Sequence, residues 1–332
     1  MKILRLEPEY FLLKGTVRKG SDMGKTVRVS GISLGSSQRN FSGSFSAAGV
    51  NFVVERVGTD GCVRSAVDLI KKLDGQVDGI GLGGVNLAYV LGKHRYPIKE
   101  GWELAKSARF TPVVDGSLVK ESWEPRLVRE LLARGELEVE GHRVLITSVL
   151  DRYPLASCLQ QCGARVLAGD ALLALKLPLL LPLATFAAVA VVTMPLLSRL
   201  PLKYLYPVGK KQENRKRGWN GIVSSADVIA GDFHLFNRRM PQDLTGKTVI
   251  TSTLTGQDRA ELFNRGAKQV IALGLTVGER SLGANILDAM ITAAAVRQEF
   301  GTSDRRQVLE ILLAEHLKEM DNRSSHNGAG RH

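Results

Sequence analysis

Residues 165–170 (RVLAGD) and 227–232 (DVIAGD) echo each other, each an apolar β-branched run that stops on Ala-Gly-Asp. A strand buried on both faces reads as such a continuous run, and it belongs in a parallel sheet covered by helices. A carboxylate at the C-terminal end of a parallel strand faces the crevice where open α/β sheets bind ligands. The echo thus points to an α/β architecture and marks one edge of its sheet for function.

The first of these strands closes a longer unit: a strand at 144–149, a loop, a helix at 154–162, a strand at 165–169, then Asp170. This is the order of a dinucleotide-binding βαβ unit, with Asp170 about 20 residues beyond the first loop, where the ribose-binding acid belongs. The loop from Ser148 to Pro154 contains no glycine, so the G-x-G-x-x-G fingerprint is absent and Arg152 is left to meet a pyrophosphate. A βαβ unit that binds no nucleotide has the same pattern. On the dinucleotide reading, Ser148, Arg152, Asp170 and Asp232 hold NAD or NADP. NAD is preferred, because Asp170 would repel a 2′-phosphate.

The first half alternates in the same way, with strands predicted at 26–34, 51–57, 76–81 and 111–114 and helices at 63–73 and 124–134. Such alternation makes a parallel or mixed sheet flanked by helices. The C-terminal ends of these strands carry Ser33, Ser36, Ser37, Arg39, Asp60 and Asp115. Hydroxyls, a guanidinium and carboxylates together suit a small polyhydroxylated carboxylic acid, with Arg39 as its carboxylate partner. The run DGIGLGG at 78–84 lacks a following Gly-Lys-Ser/Thr, so tight strand-to-helix packing is the reading preferred over a phosphate cradle.

Later strands are predicted at 228–231, 248–251 and 269–273, with a helix at 257–265 between the last two. The loop at 278–285 opens a helix whose free amides, with Arg280, could hold an anion; a plain glycine-rich turn explains it equally. The expected organisation is α/β with two domains. Residues 23–138 form a substrate-binding domain with a parallel or mixed sheet. Residues 139–300 form a Rossmann-like domain with a hydrophobic helical insert at 171–205, and 301–332 form a terminal helix and a disordered tail. Residues 1–22 read as an extension outside the fold, because Met23 offers a second start just before the first clean strand.

Chain length and an apolar fraction of 44% over 332 residues allow a sizeable core and exclude wholesale disorder. Three cysteines make neither a disulfide framework nor a zinc spacing, so no metal is predicted and a reducing cytoplasm fits. Cys158 and Cys162 read as packing residues on one helix face. A formal charge of +12 favours a small anionic substrate, and much of the excess lies in the basic run at 210–217. No nucleic-acid motif accompanies that run, so a nucleic-acid partner is not expected. The uncharged stretch 177–197 is long enough to span a bilayer. Pro178, Pro182 and Pro195 interrupt it, and strands on both sides must join one sheet. It is therefore expected as a buried or interface-forming helix broken by proline. An exposed apolar helix beside the basic run could instead bind a membrane surface or a second subunit, which is the non-catalytic alternative for the chain.

His234 lies two residues past Asp232, where a carboxylate could orient an imidazole for proton transfer; a packed histidine is the plainer alternative. These two are the catalytic candidates.

The runs SLGSSQR (33–39), RVGTDG (56–61), VVDGS (113–117), SVLDRYPLA (148–156), LYPVGKKQENRK (205–216), AGDFH (230–234) and RRMPQDLTGKT (238–248) resemble a bacterial group labelled quinate 5-dehydrogenase. The resemblance runs from Met23 to about Ala295. It implies oxidation of a ring hydroxyl of quinate- or shikimate-type acids with NAD or NADP on a two-domain α/β scaffold. In such dehydrogenases an N-terminal Ser-x-Ser holds the carboxylate, which Ser33 and Ser36 match loosely. They also use a lysine and an aspartate for proton transfer, and a glycine-rich cofactor loop. No lysine here falls in the expected motif, and the glycine loop is missing.

Overall fold

The computed structural model describes residues 26–173, 177–199, 220–237 and 240–328. The predicted extension 1–22 and the basic run at 210–217 lie outside them. The N-terminal part begins with β1 (Thr26–Ser33) and the hairpin β2 (Phe41–Ala47) and β3 (Val50–Gly58). Helix α1 (Val63–Leu73), β4 (Gly79–Gly83), the hairpin β5 (Ala88–Leu91) and β6 (His94–Pro97), α2 (Lys99–Ala105) and β7 (Val113–Val114) follow. A π-helical turn at Val119–Trp123 runs into α3 (Glu124–Ala133).

The second part contains β8 (Arg143–Ile146), α4 (Val149–Gln161), β9 (Arg165–Ala168), α5 (Asp170–Leu173), β10 (Leu181–Pro182) and α6 (Leu183–Leu197). It continues with α7 (Asn220–Ser224), β11 (Val228–Gly231), α8 (Phe233–Asn237), β12 (Thr248–Thr251), α9 (Gly256–Asn264) and β13 (Gln269–Ala272). A short hairpin, β14 (Thr276–Val277) and β15 (Arg280–Ser281), leads to α10 (Ala284–Val296) and α11 (Arg305–Gly328).

The expected α/β class with two sheets is what the chain forms. The first sheet runs β2-β3-β1-β4-β7, parallel except for the edge strand β2. The second runs β10-β9-β8-β11-β12-β13, with only the two-residue β10 antiparallel. That is the doubly wound Rossmann order, with the strand order reversing between β8 and β11. The hairpins around β2 and around β5 and β6 were not predicted; β2 alternates serine with half-buried phenylalanine, a weak strand signal.

Helix α10 follows the second sheet in sequence but packs on β1 and β4 of the first. Its buried surface is apolar except for Asp288 and Thr292, so the helix needs cover along almost its entire length. The glycines of DGIGLGG let it approach: a Cβ on Gly81 would stand 2.3 Å from the Asn285 carbonyl oxygen, and one on Gly79 2.8 Å from that of Ala289. Tight packing, the preferred reading, is what these glycines serve. Gly81→Ala should therefore cost about 1–3 kcal/mol or more of stability, since backbone atoms cannot yield as a side chain can. Gly43→Ala, where nothing lies within 4 Å, is the control in the same denaturant titration.

The apolar stretch departs from expectation. Helix α6 starts just after Pro182 and reaches Pro195 only in its last turn, so proline bounds the helix rather than dividing it. One face packs through Leu183, Ala190 and Met194, while Val192 and Leu196 on the other are 79% and 70% exposed. No described helix is long and apolar enough to cross a membrane.

Candidate functional site

The Ala-Gly-Asp echo turns out to frame strand β8. Its neighbour β9 is followed by Gly169 and its neighbour β11 ends on Gly231, where a Cβ would meet the Ile146 carbonyl oxygen at 2.8 Å and the Thr147 hydroxyl at 2.5 Å. Gly231 also has φ +119°, which strains any other residue. The two aspartates then cap helices. Asp232 accepts from the His234 and Leu235 amides at 2.7 and 3.1 Å, starting α8. Asp170 reaches across to the N-terminus of α4, accepting from the Val149 and Leu150 amides at 2.7 and 3.1 Å and from the Ser148 hydroxyl at 2.9 Å.

This changes the predicted cofactor site. The first-turn amides of α4 are where a Rossmann unit seats a pyrophosphate, and here a carboxylate of the chain already takes them. Ser148 and Asp170 thus face each other rather than a ligand, and neither lines the cleft between the sheets. Arg152 is 4% exposed and bound to Glu124 at 3.0 Å, to Asp151 and, at 3.2 Å, to the Ser252 hydroxyl. A dinucleotide seated through its pyrophosphate on α4 does not fit these residues.

The cleft between the two main sheets is a cavity of about 130 Å³. With one water for roughly each 10–15 Å³ of such space, it has room for a small ligand. Of the residues predicted to bind substrate, it brings together Ser33, Arg39 and Asp115. Ser36, Ser37 and Asp60 instead fasten the loop after β1. Asp60 accepts from the Ser37 amide and hydroxyl at 2.9 and 2.7 Å, and Ser36 caps a short turn. Asp115 also serves the backbone, accepting from the Leu87 and Ser117 amides at 2.6 and 3.1 Å.

Sequence reasoning did not find the most chemical part of the cleft. Lys120 Nζ donates to Asp151 Oδ1 and to Asn86 Oδ1, both at 2.7 Å, and Asn86 Nδ2 donates to Asp151 Oδ1 at 2.7 Å. Lys120 sits on the π-helical turn, fixed by buried Trp123, whose indole donates to the Leu273 carbonyl at 2.7 Å. Asn86 is held beside it because Asp115 ties Leu87 to the same strand end. Asp151 is placed by a break in α4 at Arg152 (φ −129°, ψ 36°), two residues before Pro154, which lacks the amide a continuous helix needs there. Burial would raise the Asp151 carboxyl, but Arg152, Lys120 and the bonds from Lys120 and Asn86 outweigh it and hold it well below the usual range. Asp151 is therefore ionised at neutral pH and able to pair with, or exchange a proton through, Lys120.

On the opposite wall stand Arg39, Arg56 and Arg280 with His234. Arg39 pairs with Asp258 at 2.8 Å and lies 3.3 Å from His234 Nδ1. Because a guanidinium can only donate, Nδ1 accepts and the neutral ring carries its proton on Nε2. Burial and Arg39 push the imidazole down to about 4. The predicted partnership of Asp232 with the His234 ring is not formed: Oδ1 of Asp232 is spent on the helix cap, and the ring turns to Arg39.

No curated protein matches the sequence. Among solved structures, a hetero-hexameric glutamate dehydrogenase from Thermus thermophilus shares 13% identity at a TM-score of 0.44, over 92% of this chain and 77% of that one. The methylenetetrahydrofolate dehydrogenase-cyclohydrolase FolD of Trypanosoma brucei, solved with NADP and an inhibitor, shares 12% at 0.30, over 90% and 88%. At such scores the description of the fold rests on the strand order itself. A domain of unknown function, DUF8753, matches residues 28–115, and a second, DUF8754, matches 118–319. Asn86 thus comes from the first and Lys120 and Asp151 from the second, and the match over most of its length makes the chain a member of the DUF8754 family.

Proposed function

We propose that the cleft is a proton-transfer site for a small hydroxy or oxo acid, with Lys120 exchanging the proton at the substrate oxygen and Asp151 supporting its charge. The observation that carries this is the Lys120, Asp151 and Asn86 triangle at 2.7 Å on each side, facing a donor-rich wall across one cavity. Asn86 and Asp151 fix the ammonium in one position, which is what a general acid or base needs.

Oxidation of a ring hydroxyl of a quinate- or shikimate-type acid with NAD or NADP is a second, finer version. It is favoured by the doubly wound strand order and by a lysine and an aspartate in contact, the residue types such dehydrogenases use, although Lys120 does not lie in their motif. The filled α4 N-terminus stands against the usual seat of the nucleotide.

The test is turnover of a panel of cyclic hydroxy acids, followed by product analysis with and without NAD⁺ or NADP⁺. Lys120→Met should lower turnover by about 10²–10⁴, the usual worth of a positioned acid–base group, with substrate affinity changed only a few-fold. A Lys120→Met protein with wild-type turnover would overturn the assignment. Nucleotide dependence of the wild-type reaction separates the oxidoreductase version from one that needs no hydride acceptor.

A further inference from the structure

The wall opposite Lys120 contains donors whose acceptors are missing among the described residues. Arg39 is neutralised by Asp258, but neither Arg56 nor Arg280 has a carboxylate within ion-pair distance. Arg56 spends two of its five N–H donors, on the Ser36 carbonyl at 3.0 Å and the Ser33 hydroxyl at 3.1 Å. Arg280 spends one, on the Arg39 carbonyl at 3.1 Å, and its guanidinium carbon stands over the Phe41 ring, 4.6 Å from the centroid. Ser33 Oγ accepts from Arg56 and from the Gly35 amide at 3.0 Å, which uses both lone pairs and leaves only its O–H to give. The neutral His234 adds an Nε2–H. The unspent groups of Arg56, Arg280, Ser33 and His234 are all donors, and two of them carry full positive charges; the Asp232 carboxylate lines the same cleft.

We infer that Arg56 and Arg280, assisted by the Ser33 hydroxyl, form an oxyanion site for a carboxylate or phosphate group of the cleft's ligand. Arg39, which the sequence marks as the carboxylate partner, is instead the brace that holds this wall to α9 through Asp258. The capping box of that helix fixes the brace: Thr255 Oγ1 accepts from the Asp258 amide while the Asp258 carboxylate accepts from the Thr255 amide. Crowding supports the assignment. Burial, with Arg39 and Arg280 close by, pulls the Arg56 guanidinium down to about 10 against the opposing pull of Asp60, and an arriving anion offsets the repulsion among the three guanidiniums. Arginine suits either anion, since its planar fork matches carboxylate and phosphate oxygens alike.

The inference rests on reading the cleft as a ligand site, not on the chemistry assigned to Lys120, and its test keeps the two apart. Inorganic phosphate and cyclohexanecarboxylate, which has no hydroxyl to react, are titrated by calorimetry at fixed low ionic strength into the full chain. Saturable binding of either probe is expected, and the probe that binds identifies the anion. Arg280→Gln and Arg56→Gln should each weaken it about ten- to a hundredfold, the worth of a lost charge-assisted hydrogen bond. Arg126→Gln, which removes a charge paired with Glu130 on α3 away from the cleft, should leave it unchanged. Arg280 is the less buried of the pair, so its variant tests the site even where Arg56→Gln fails to fold. Absence of binding to both probes, or equal affinity in wild type and Arg280→Gln, would overturn the site. Anion binding with no hydroxy-acid turnover would leave it standing and remove only the proton-transfer reading.

Discussion

Replacing Arg152 by alanine is expected to cost about 3–5 kcal/mol of stability, the penalty for stranding one partner of a buried ion pair. The stranded group is Glu124, which is fully buried and whose partner in the described structure is the Arg152 Nε at 3.0 Å. Burial already pushes the Glu124 carboxyl upward against the pull of Arg152 and Lys120. Without the guanidinium it must stay charged in apolar surroundings or take up a proton, and either course is unfavourable. The pair itself need not be stabilising, since two apolar residues of similar volume often do as well. The double variant Glu124→Gln with Arg152→Met should therefore recover much of the loss. Urea midpoints of the three proteins decide the matter, and a loss below about 1 kcal/mol in the single variant would refute the argument. The same substitution removes the larger charge that keeps Asp151 ionised, so it should also raise the pH needed for any reaction that uses Lys120.

A second large effect concerns two groups whose titrations oppose each other. Burial raises the Asp170 carboxyl to about 6, although the α4 amides pull it back. Its unfolded value is near 4, so the native state prefers the protonated acid. This contribution is full below the unfolded value and is lost as pH rises through about 6. His234 behaves in the reverse sense. Its native value of about 4 lies below the unfolded value near 6.5, so its contribution is present above the latter and is lost as pH falls toward 4. Each shift corresponds to about 3 kcal/mol across the window. In the wild type the two nearly cancel. Asp170→Asn should leave the His234 contribution exposed, giving a protein that loses stability on acidification from pH 6.5 to 4 relative to wild type. His234→Gln should gain stability over the same interval. Denaturant midpoints at several pH values provide the comparison, and variant profiles parallel to the wild type would contradict both assignments.

Much of the scaffold was legible because it follows local rules. Helix Val63–Leu73 matches its predicted span, since its burial repeats at helical spacing and lysines close its last turn. The strands of the second sheet were visible as unbroken apolar runs, and the close-packing role of Gly79 and Gly81 was readable from their spacing. The site was less legible. The fold brings Arg39, Ser33 and Asp115 to the cleft, but the loops around them also hold residues that merely fasten the chain, as Asp60 and Ser37 do. Lys120 escaped notice because its partners are distant along the chain, Asn86 by 34 residues and Asp151 by 31. No spacing rule links groups that meet only through the tertiary fold.

The sequence by itself determined the α/β class and the strands that run into each Ala-Gly-Asp, which follow from burial patterns and residue type. The tertiary structure decided what the echoed aspartates do. Their strands flank β8 on either side, so each carboxylate falls beside a helix N-terminus and is drawn to its unpaired amides. A backbone amide within reach outcompetes a distant ligand for a buried carboxylate, and only the folded chain shows which amides are within reach.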